Sequence, residues 1–296
     1  ATESINTLII GAAEFYSRSG QQIITFETEH SSTLAAVEHL KDQGFTVDVM
    51  PVMQNGCIDY SELEKKLSHD TLLITVNHVC NETGLVQDLE PLFAMRDRYG
   101  FMVHIDACQT IGKAPFSIQR YPADYISLSA HKCHGPQGVG AMYIAQNRHV
   151  VPRLHGKHPV RPGTPSQALI YMMGLAFELA LSDFEENNNQ VQHLNRLFRE
   201  GLANVDHQIL KSPFQVSHIV NLSFPNATVE QIHQIKQHIY CQNSSSCYQG
   251  GRSHVLMARQ LPAEIIDRSL RFSFSHLISE QDIRFACSII CDILQK

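Results

Sequence analysis

The chain contains no run of about 18 apolar residues, so the sequence gives no expectation of a helical membrane span. No basic segment precedes the apolar part of its first residues, ATESINTLIIGAAEFY, so no secretory signal is expected. Positive charge is in the minority: Lys plus Arg is 23, Asp plus Glu is 29, and the formal net charge is −6. A nucleic-acid binder needs a basic surface to displace counterions, and this balance argues against one. Charged residues are only 18% of the chain and hydrophobic ones 43%, too apolar for a disordered chain. At about 150 residues per domain, 296 residues make two domains the starting expectation.

Cysteine spacing excludes more. The eight cysteines are 57, 80, 108, 133, 241, 247, 287 and 291, and none form a CxxC pair. That lowers the odds of a structural zinc site, and no metal is expected. Eight in 296 is far below the density of a disulfide scaffold, so reduced thiols and a cytoplasmic location are expected. Cys287 and Cys291 lie four apart on a predicted helix and read as two small core residues on one face.

Apolar strands alternate with amphipathic helices through the first half. Strands are predicted at 23–26, 45–50, 72–76, 101–105, 125–128 and 139–144, and helices at 32–43, 60–67 and 87–99. This alternation predicts a mostly parallel sheet covered on both faces. A helix is predicted at 166–184, then a polar break at 185–189 acting as a hinge, then a helix at 191–202. Beyond it, strands are predicted at 219–224 and 269–274, helices at 229–240 and 280–294, and a Ser/Gly-rich loop at 242–253. The expected division is a large α/β domain, 1–184, and a smaller α+β domain, 185–296.

Polar clusters follow three of the predicted strands, where open α/β sheets bind ligands. They are Asn81-Glu82-Thr83-Gly84, His104-Ile105-Asp106-Ala107-Cys108-Gln109, and Ser129-Ala130-His131-Lys132-Cys133-His134-Gly135-Pro136. Lys132 sits between two histidines ahead of a Gly-Pro turn, and a partly desolvated lysine can form a Schiff base. Asp106 ends an apolar strand, so its carboxylate needs a cationic partner. A protonated pyridine nitrogen is one such partner, and Ser129 and His131 can donate to a phosphate. Together they describe a pyridoxal-phosphate site. Taken singly, Lys132 could be a surface lysine, Asp106 a helix cap, and the glycines 135, 138 and 140 an ordinary turn.

The order and spacing of seven short motifs resemble the cysteine desulfurases, pyridoxal-phosphate enzymes of the class V aminotransferase group. The motifs are Ala1-Thr2-Glu3, Thr28-Glu29-His30, Asn81-Glu82-Thr83-Gly84, His104-x-Asp106-Ala107-x-Gln109, Ser129-Ala130-His131-Lys132, Arg161-x-Gly163-Thr164 and Arg271-Phe272-Ser273. The resemblance implies a seven-stranded large sheet and a homodimer, and it implies that the chain starts inside the first motif, truncated relative to the family. It implies Lys132 as the lysine that holds the cofactor and moves the substrate Cα proton, and His30 as the residue stacked on the ring. It implies Asp106 on the ring nitrogen, and Asn81 and Gln109 on the ring hydroxyl side. It implies Thr2, Ser129 and His131 on the phosphate, Thr164 supplied by a partner subunit, and Arg271 (with Asn81) on the substrate carboxylate.

The family carries its nucleophile on a Ser/Gly-rich loop followed by a Ser-His-x-Leu segment. Here Ser244-Ser245-Ser246-Cys247 precedes Ser253-His254-Val255-Leu256, so Cys247 matches the persulfide-forming cysteine, with Cys241 the weaker candidate. Cys80 stands where the family has an Asn, and the stretch 154–160 is shorter than the family's glycine-rich run. The implied reaction turns L-cysteine into L-alanine, leaving a persulfide on Cys247 for a sulfur-acceptor protein in iron–sulfur or thio-cofactor assembly. Two other readings stay open: a selenocysteine lyase, and a truncated, non-catalytic relative that acts as a binding protein.

Overall fold

The computed structural model describes residues 1–243 and 251–295. The proposed nucleophile, Cys247, lies outside the described residues. The chain divides into two compact units. The first comprises residues 1–53, 58–79 and 87–182, and the second comprises 54–57, 80–86 and 183–296.

The first unit opens with α1 (Thr2–Phe15), β1 (Gln22–Phe26), α2 (Ser31–Asp42) and β2 (Thr46–Met50). It continues through α3 (Tyr60–Lys66), β3 (Thr71–Asn77), α4 (Glu90–Tyr99), β4 (Met102–Asp106) and β5 (Tyr125–Ser129). A 3-10 turn at Ala130–Cys133 leads to β6 (Gly140–Ile144), and α5 (Gln167–Ser182) closes the unit. The sheet order is β2-β1-β3-β4-β5-β6. β1 to β5 run parallel and β6 is antiparallel at the edge. Every residue of β1, β3 and β4 is buried, as expected of parallel strands covered on both faces. On one face Ile5, Leu8 and Ile9 of α1 and Val37 and Leu40 of α2 pack with Ile23, Leu73 and Tyr125 of the strands.

The sheet has six strands among the described residues, where the family resemblance implies seven. The residues themselves supply six apolar runs, and those are the six strands. The helix α1 has no counterpart in the sequence reading. From Ser4 to Ala13 it is buried at all positions but Asn6, so it lacks the polar stripe by which an amphipathic helix is recognised. The break expected at 185–189 is helical. The chain interrupts helix at Asp183, and α6 (Phe184–Gly201) runs through the polar cluster, whose Glu185 and Glu186 suit the positive end of a helix dipole.

The second unit contains α6, β7 (Gln208–Ile209), β8 (Ile219–Ser223), α7 (Val229–His238), α8 (His254–Ala258), α9 (Ala263–Asp267), β9 (Ser269–Ser273) and α10 (Glu280–Leu294). Its sheet, β7-β8-β9, is antiparallel. α6 presents Val191, Leu194 and Phe198 at helical spacing, with Leu202 just after its end, and α10 presents Ile283, Cys287 and Ile290. Both pack with Val220, Leu222, Leu270 and Phe272, so Cys287 is a core residue, with Cys291 partly buried against it. The start of α10 is fixed by a capping box between Ser279 and Asp282.

Phe198 is 2% exposed, with ring centroids 4.9 Å from Phe272 and 5.4 Å from Phe274. Phe198→Ala is expected to cost about 3–5 kcal/mol in a denaturant transition followed by the near-UV signal, because the aromatic cluster cannot collapse into the gap. A shift under about 1 kcal/mol would place Phe198 outside the core of this unit.

Candidate active site

Asp106 is the last residue of β4, and its carboxylate is 6% exposed. It accepts from the Cys108 N–H at 3.0 Å. β5 runs alongside, with Asp106 opposite Ser127 and the Ala107 N–H donating to the Ser127 carbonyl at 3.0 Å. β5 ends at Ser129, and the chain turns at once into the 3-10 segment that carries His131 and Lys132. The turn is stopped by His134 in the left-handed region, with φ 63°, and the Gly135 N–H returns to the Ala130 carbonyl at 2.9 Å. Lys132 is half-buried and His131 exposed. The Ser129 hydroxyl lies 3.0 Å from His131 Nδ1.

The start of α1 comes to the same place. Gly140 of β6 pairs with Ser129. A Cβ on Gly140 would lie 2.8 Å from the Ala1 nitrogen and 2.7 Å from the Leu128 carbonyl, so only glycine lets the first turn of α1, with Thr2, approach the end of β5. Positive charge gathers here. Partial desolvation sets exposed His131 below its usual range, and Lys132 and Lys113 push it further down. Lys113 Nζ donates to Gln109 Oε1. Burial and Asp106 push the Cys108 thiol well up, with Lys132 opposing. Asp106, Gln109, Ser129, His131, Lys132 and Thr2 therefore belong to one neighbourhood within the first unit. A buried carboxylate, a half-buried lysine and hydroxyl, imidazole and ammonium donors form a set that fits a phosphorylated, basic aldehyde.

The structure also shows what the neighbouring motif residues do. His30 caps α2, its Nδ1 accepting from the Ser32 N–H at 3.2 Å. Glu29 is 1% exposed and accepts from the Asn77 backbone N–H at 2.8 Å and side-chain amide at 2.9 Å, joining the end of β1 to β3. Burial, with Asp106 adding to it, raises its carboxyl well above the usual range. The sequence reading used Glu29 only as a motif letter; a carboxylate between two strand ends is its one recognisable signal. His104 is fully buried, with Nδ1 2.7 Å from Thr75 Oγ1 and Nε2 2.9 Å from Ser127 Oγ, and so spans three strands.

Other expected site residues belong to other segments of the chain. Thr164 is exposed, in the irregular segment after Arg161, which pairs with Glu3 at 2.9 Å. Asn81 and Arg271 both belong to the second unit, where Arg271 Nη1 donates to the Asn81 carbonyl at 3.0 Å. There the Asn81-Glu82-Thr83-Gly84 motif is a structural hub. Buried Glu82 accepts from the Ser253 hydroxyl, its carbonyl accepts from Asn221 at 3.2 Å, and the Thr83 carbonyl accepts from Gln215 at 2.8 Å. Gly84 has φ +73°, and a Cβ there would press on Ile219 at 3.1 Å. Cys241 is buried, its thiol pushed up to about 11 by burial, which suits a core residue rather than a nucleophile.

Residues 1–285 match the family described as Aminotransferase class-V. The chain belongs to that family. It is 32% identical over 299 aligned residues to "Cysteine desulfurase IscS" of Buchnera aphidicola subsp. Baizongia pistaciae (strain Bp), spanning 98% of this chain and 74% of the relative. Among solved structures, a "NIFS-LIKE PROTEIN" aligns at TM-score 0.90 and 30% identity over 99% of this chain and 80% of its own. "SspA in complex with cysteine" aligns at TM-score 0.81 and 26% identity over 93% of this chain and 79% of its own. The class-V family match covers the whole of the first unit, and with it the Asp106–Lys132 neighbourhood.

Burial sets a pH dependence for the strands that hold the site. It lowers both His104 and His78 to about 4, against about 6.5 for a free histidine. The unfolded chain therefore binds more protons than the folded one below pH 6.5. Stability from these two groups is complete above about pH 6.5 and is lost as the pH falls toward 4. Denaturant titrations at pH 7 and pH 5 are expected to differ by about 1–2 kcal/mol per histidine, with a smaller difference in His104→Gln. Equal stability at the two pH values would contradict neutral burial.

Proposed function

We propose that this chain is a pyridoxal-phosphate-dependent cysteine desulfurase that converts L-cysteine to L-alanine. The observation that carries the reading is the placement of Lys132 and buried Asp106 at the ends of adjacent strands, in a chain about one-third identical to cysteine desulfurases over nearly its full length. Bound there, pyridoxal phosphate supplies an electron sink for the substrate Cα.

Each residue has a task in this reading. Asp106 holds a positive charge on the ring nitrogen, Gln109 and Asn81 meet the ring hydroxyl side, and His30 stacks on the ring. Ser129, His131 and Thr2 take the phosphate, with Thr164 contributed by a partner subunit. Lys132 Nζ holds the cofactor and removes and returns the proton at the substrate Cα. Arg271, whose guanidinium is oriented by the Asn81 carbonyl, takes the substrate carboxylate as a planar fork. The Cys247 thiolate attacks the substrate sulfur; the S–Cβ bond breaks, an S–S bond forms, and the carbon fragment takes up protons to leave as alanine. Cysteine as substrate is supported by SspA, which was solved with cysteine bound.

A homodimer is supported by α5, whose Ile170, Tyr171, Met172, Leu175, Leu179 and Leu181 are 45–75% exposed. Gly135 of the lysine turn packs on Ala176 of the same helix, so a partner on α5 would lie beside the turn that carries Lys132. A second protein would then collect the persulfide sulfur for iron–sulfur assembly, as the IscS likeness suggests. A cytoplasmic location fits the described cysteines, all of them free thiols. No helix among the described residues is long and apolar enough to cross a membrane. In domain terms, residues 1–184 would carry the cofactor and 185–296 the nucleophile loop.

The test is to load the purified chain with pyridoxal phosphate, add L-cysteine, and measure alanine and protein-bound sulfane sulfur. Both are expected in equal amounts in a single turnover. Lys132→Ala should produce neither, and borohydride should no longer fix cofactor to it. Cys247→Ser should retain the fixed cofactor but lose nearly all alanine, since a hydroxyl is a poor nucleophile toward sulfur. No alanine from the unaltered, cofactor-loaded chain would overturn the reading.

A further inference from the structure

A buried guanidinium in the second unit has two thiols among its ionisable neighbours. Arg259 is 4% exposed. Its Nε donates to the Gln54 carbonyl at 3.0 Å and its Nη2 to the Lys211 carbonyl at 2.8 Å. Its Nη1 is buried and has no hydrogen-bond partner among the described residues. Two neutral carbonyls do not discharge a buried cation, and an unmet N–H beside it adds the cost of a lost hydrogen bond. The ionisable groups that act on it are the thiols of Cys80 and Cys57.

Those thiols share one small apolar cluster. Cys80 is 2% exposed and packs with Leu85 and Val255, and half-buried Cys57 lies against them. The chain reaches Cys57 through Gly56, at φ +88°, where a Cβ would stand 3.1 Å from Leu85 and 3.6 Å from Arg259 Cδ. Glycine lets the segment lie flat on the arginine stem. The Cys57 N–H is fixed by Asn55 Oδ1 at 2.9 Å, and the Ser212 hydroxyl holds the Asn55 carbonyl at 2.8 Å. Cys57 is thus a held, partly accessible thiol beside a cation whose Nη1 has no partner among the described residues. Burial sets the Cys57 thiol above its usual range, and Arg259 opposes part of that rise.

We propose that Cys57 is a second sulfur-carrying site, whose thiol accepts the outer sulfur of a persulfide and whose resulting anion is held by Arg259. The proposal rests on the sulfur chemistry above for its natural donor. In the step, the Cys57 thiolate attacks the outer sulfur of a donor R–S–SH. A new S–S bond forms at Cys57, the old one breaks, and the donor leaves as RS⁻, which takes up the proton Cys57 gave up. The transferred sulfur keeps its oxidation state, so no oxidant is needed. A persulfide is more acidic than a thiol, so the product is an anion at neutral pH and meets the spare Nη1–H. The surroundings favour a persulfide over an oxygenated sulfur. Leu85, Val255 and Cys80 offer a polarizable sulfur an apolar wall, against which the oxygens of a sulfinate would be poorly solvated.

The test supplies the donor from outside, so it does not depend on this chain making a persulfide. The full chain is treated with glutathione persulfide without L-cysteine, alkylated, and its peptides are weighed. The expected result is one added sulfur on the Cys57 peptide, absent in Cys57→Ser, and roughly tenfold or more lower in Arg259→Gln. Arg259→Lys, which keeps the charge and loses the fork, should fall between. Cys57 without added sulfur in the unaltered protein overturns the proposal whether or not the arginine variants fold. A Cys57–Cys80 disulfide, or added oxygen in place of sulfur, overturns it as well. Failure here leaves alanine production from cysteine untouched, and failure of alanine production leaves this labelling untouched.

Discussion

A carboxylate at the end of a fully buried strand has to be offset by positive charge, and the first unit is arranged around that requirement. β4 buries every residue up to Asp106. Glu29, one strand end away, has its carboxyl raised well above the usual range by burial, with Asp106 adding to the rise. Positive charge nearby comes from Lys132 and Lys113, which both depress His131, and Lys132 also opposes burial at Cys108. The His104 bonds to Thr75 and Ser127 keep the three strand ends in register, because neither hydroxyl nor imidazole can be left unpaired in that layer. In the proposed reading this site takes a ring cation at one end and a phosphate at the other.

Much of the first unit was legible in the sequence because its strands are short apolar runs that end in polar clusters. The runs ending near Val76, Ile105 and Leu128 became β3, β4 and β5, and the polar residues after the last two became the Asp106–Lys132 neighbourhood. What was not legible has physical reasons. The α1 segment is buried nearly all round, so it carries no period to read. The seventh strand came from likeness alone and has no apolar run in these residues to form it. Glu185 to Asn189 looked like a break because Asn and Glu are polar, but polar residues on the solvent side of a helix cost little.

The clearest surprise is the Asn81-Glu82-Thr83-Gly84 motif. Its position after β3 suggested a ligand loop. In the structure it belongs to the second unit, where Glu82 and the backbone of Thr83 and Gly84 bind Ser253, Asn221, Gln215 and Val216. The stretch 54–57 joins the same unit and brings Cys57 to Arg259. Chain order gave no hint of either excursion, because a few residues that cross between units leave no composition signal. Cys80, where the family has an Asn, is one of the departures the sequence shows, and it packs in the small apolar cluster with Leu85 and Val255 against which Cys57 lies.

The central claim is that Asp106 keeps a bound pyridoxal ring protonated. The direct measurement is the 15N chemical shift of ring-labelled pyridoxal phosphate bound to the intact chain, compared with the same cofactor in Asp106→Asn. A pyridinium shift that holds across neutral pH in the unaltered chain, and moves to that of a neutral pyridine in the variant, is the predicted result. A neutral pyridine shift in the unaltered chain, or the same protonated shift in both, would contradict the account.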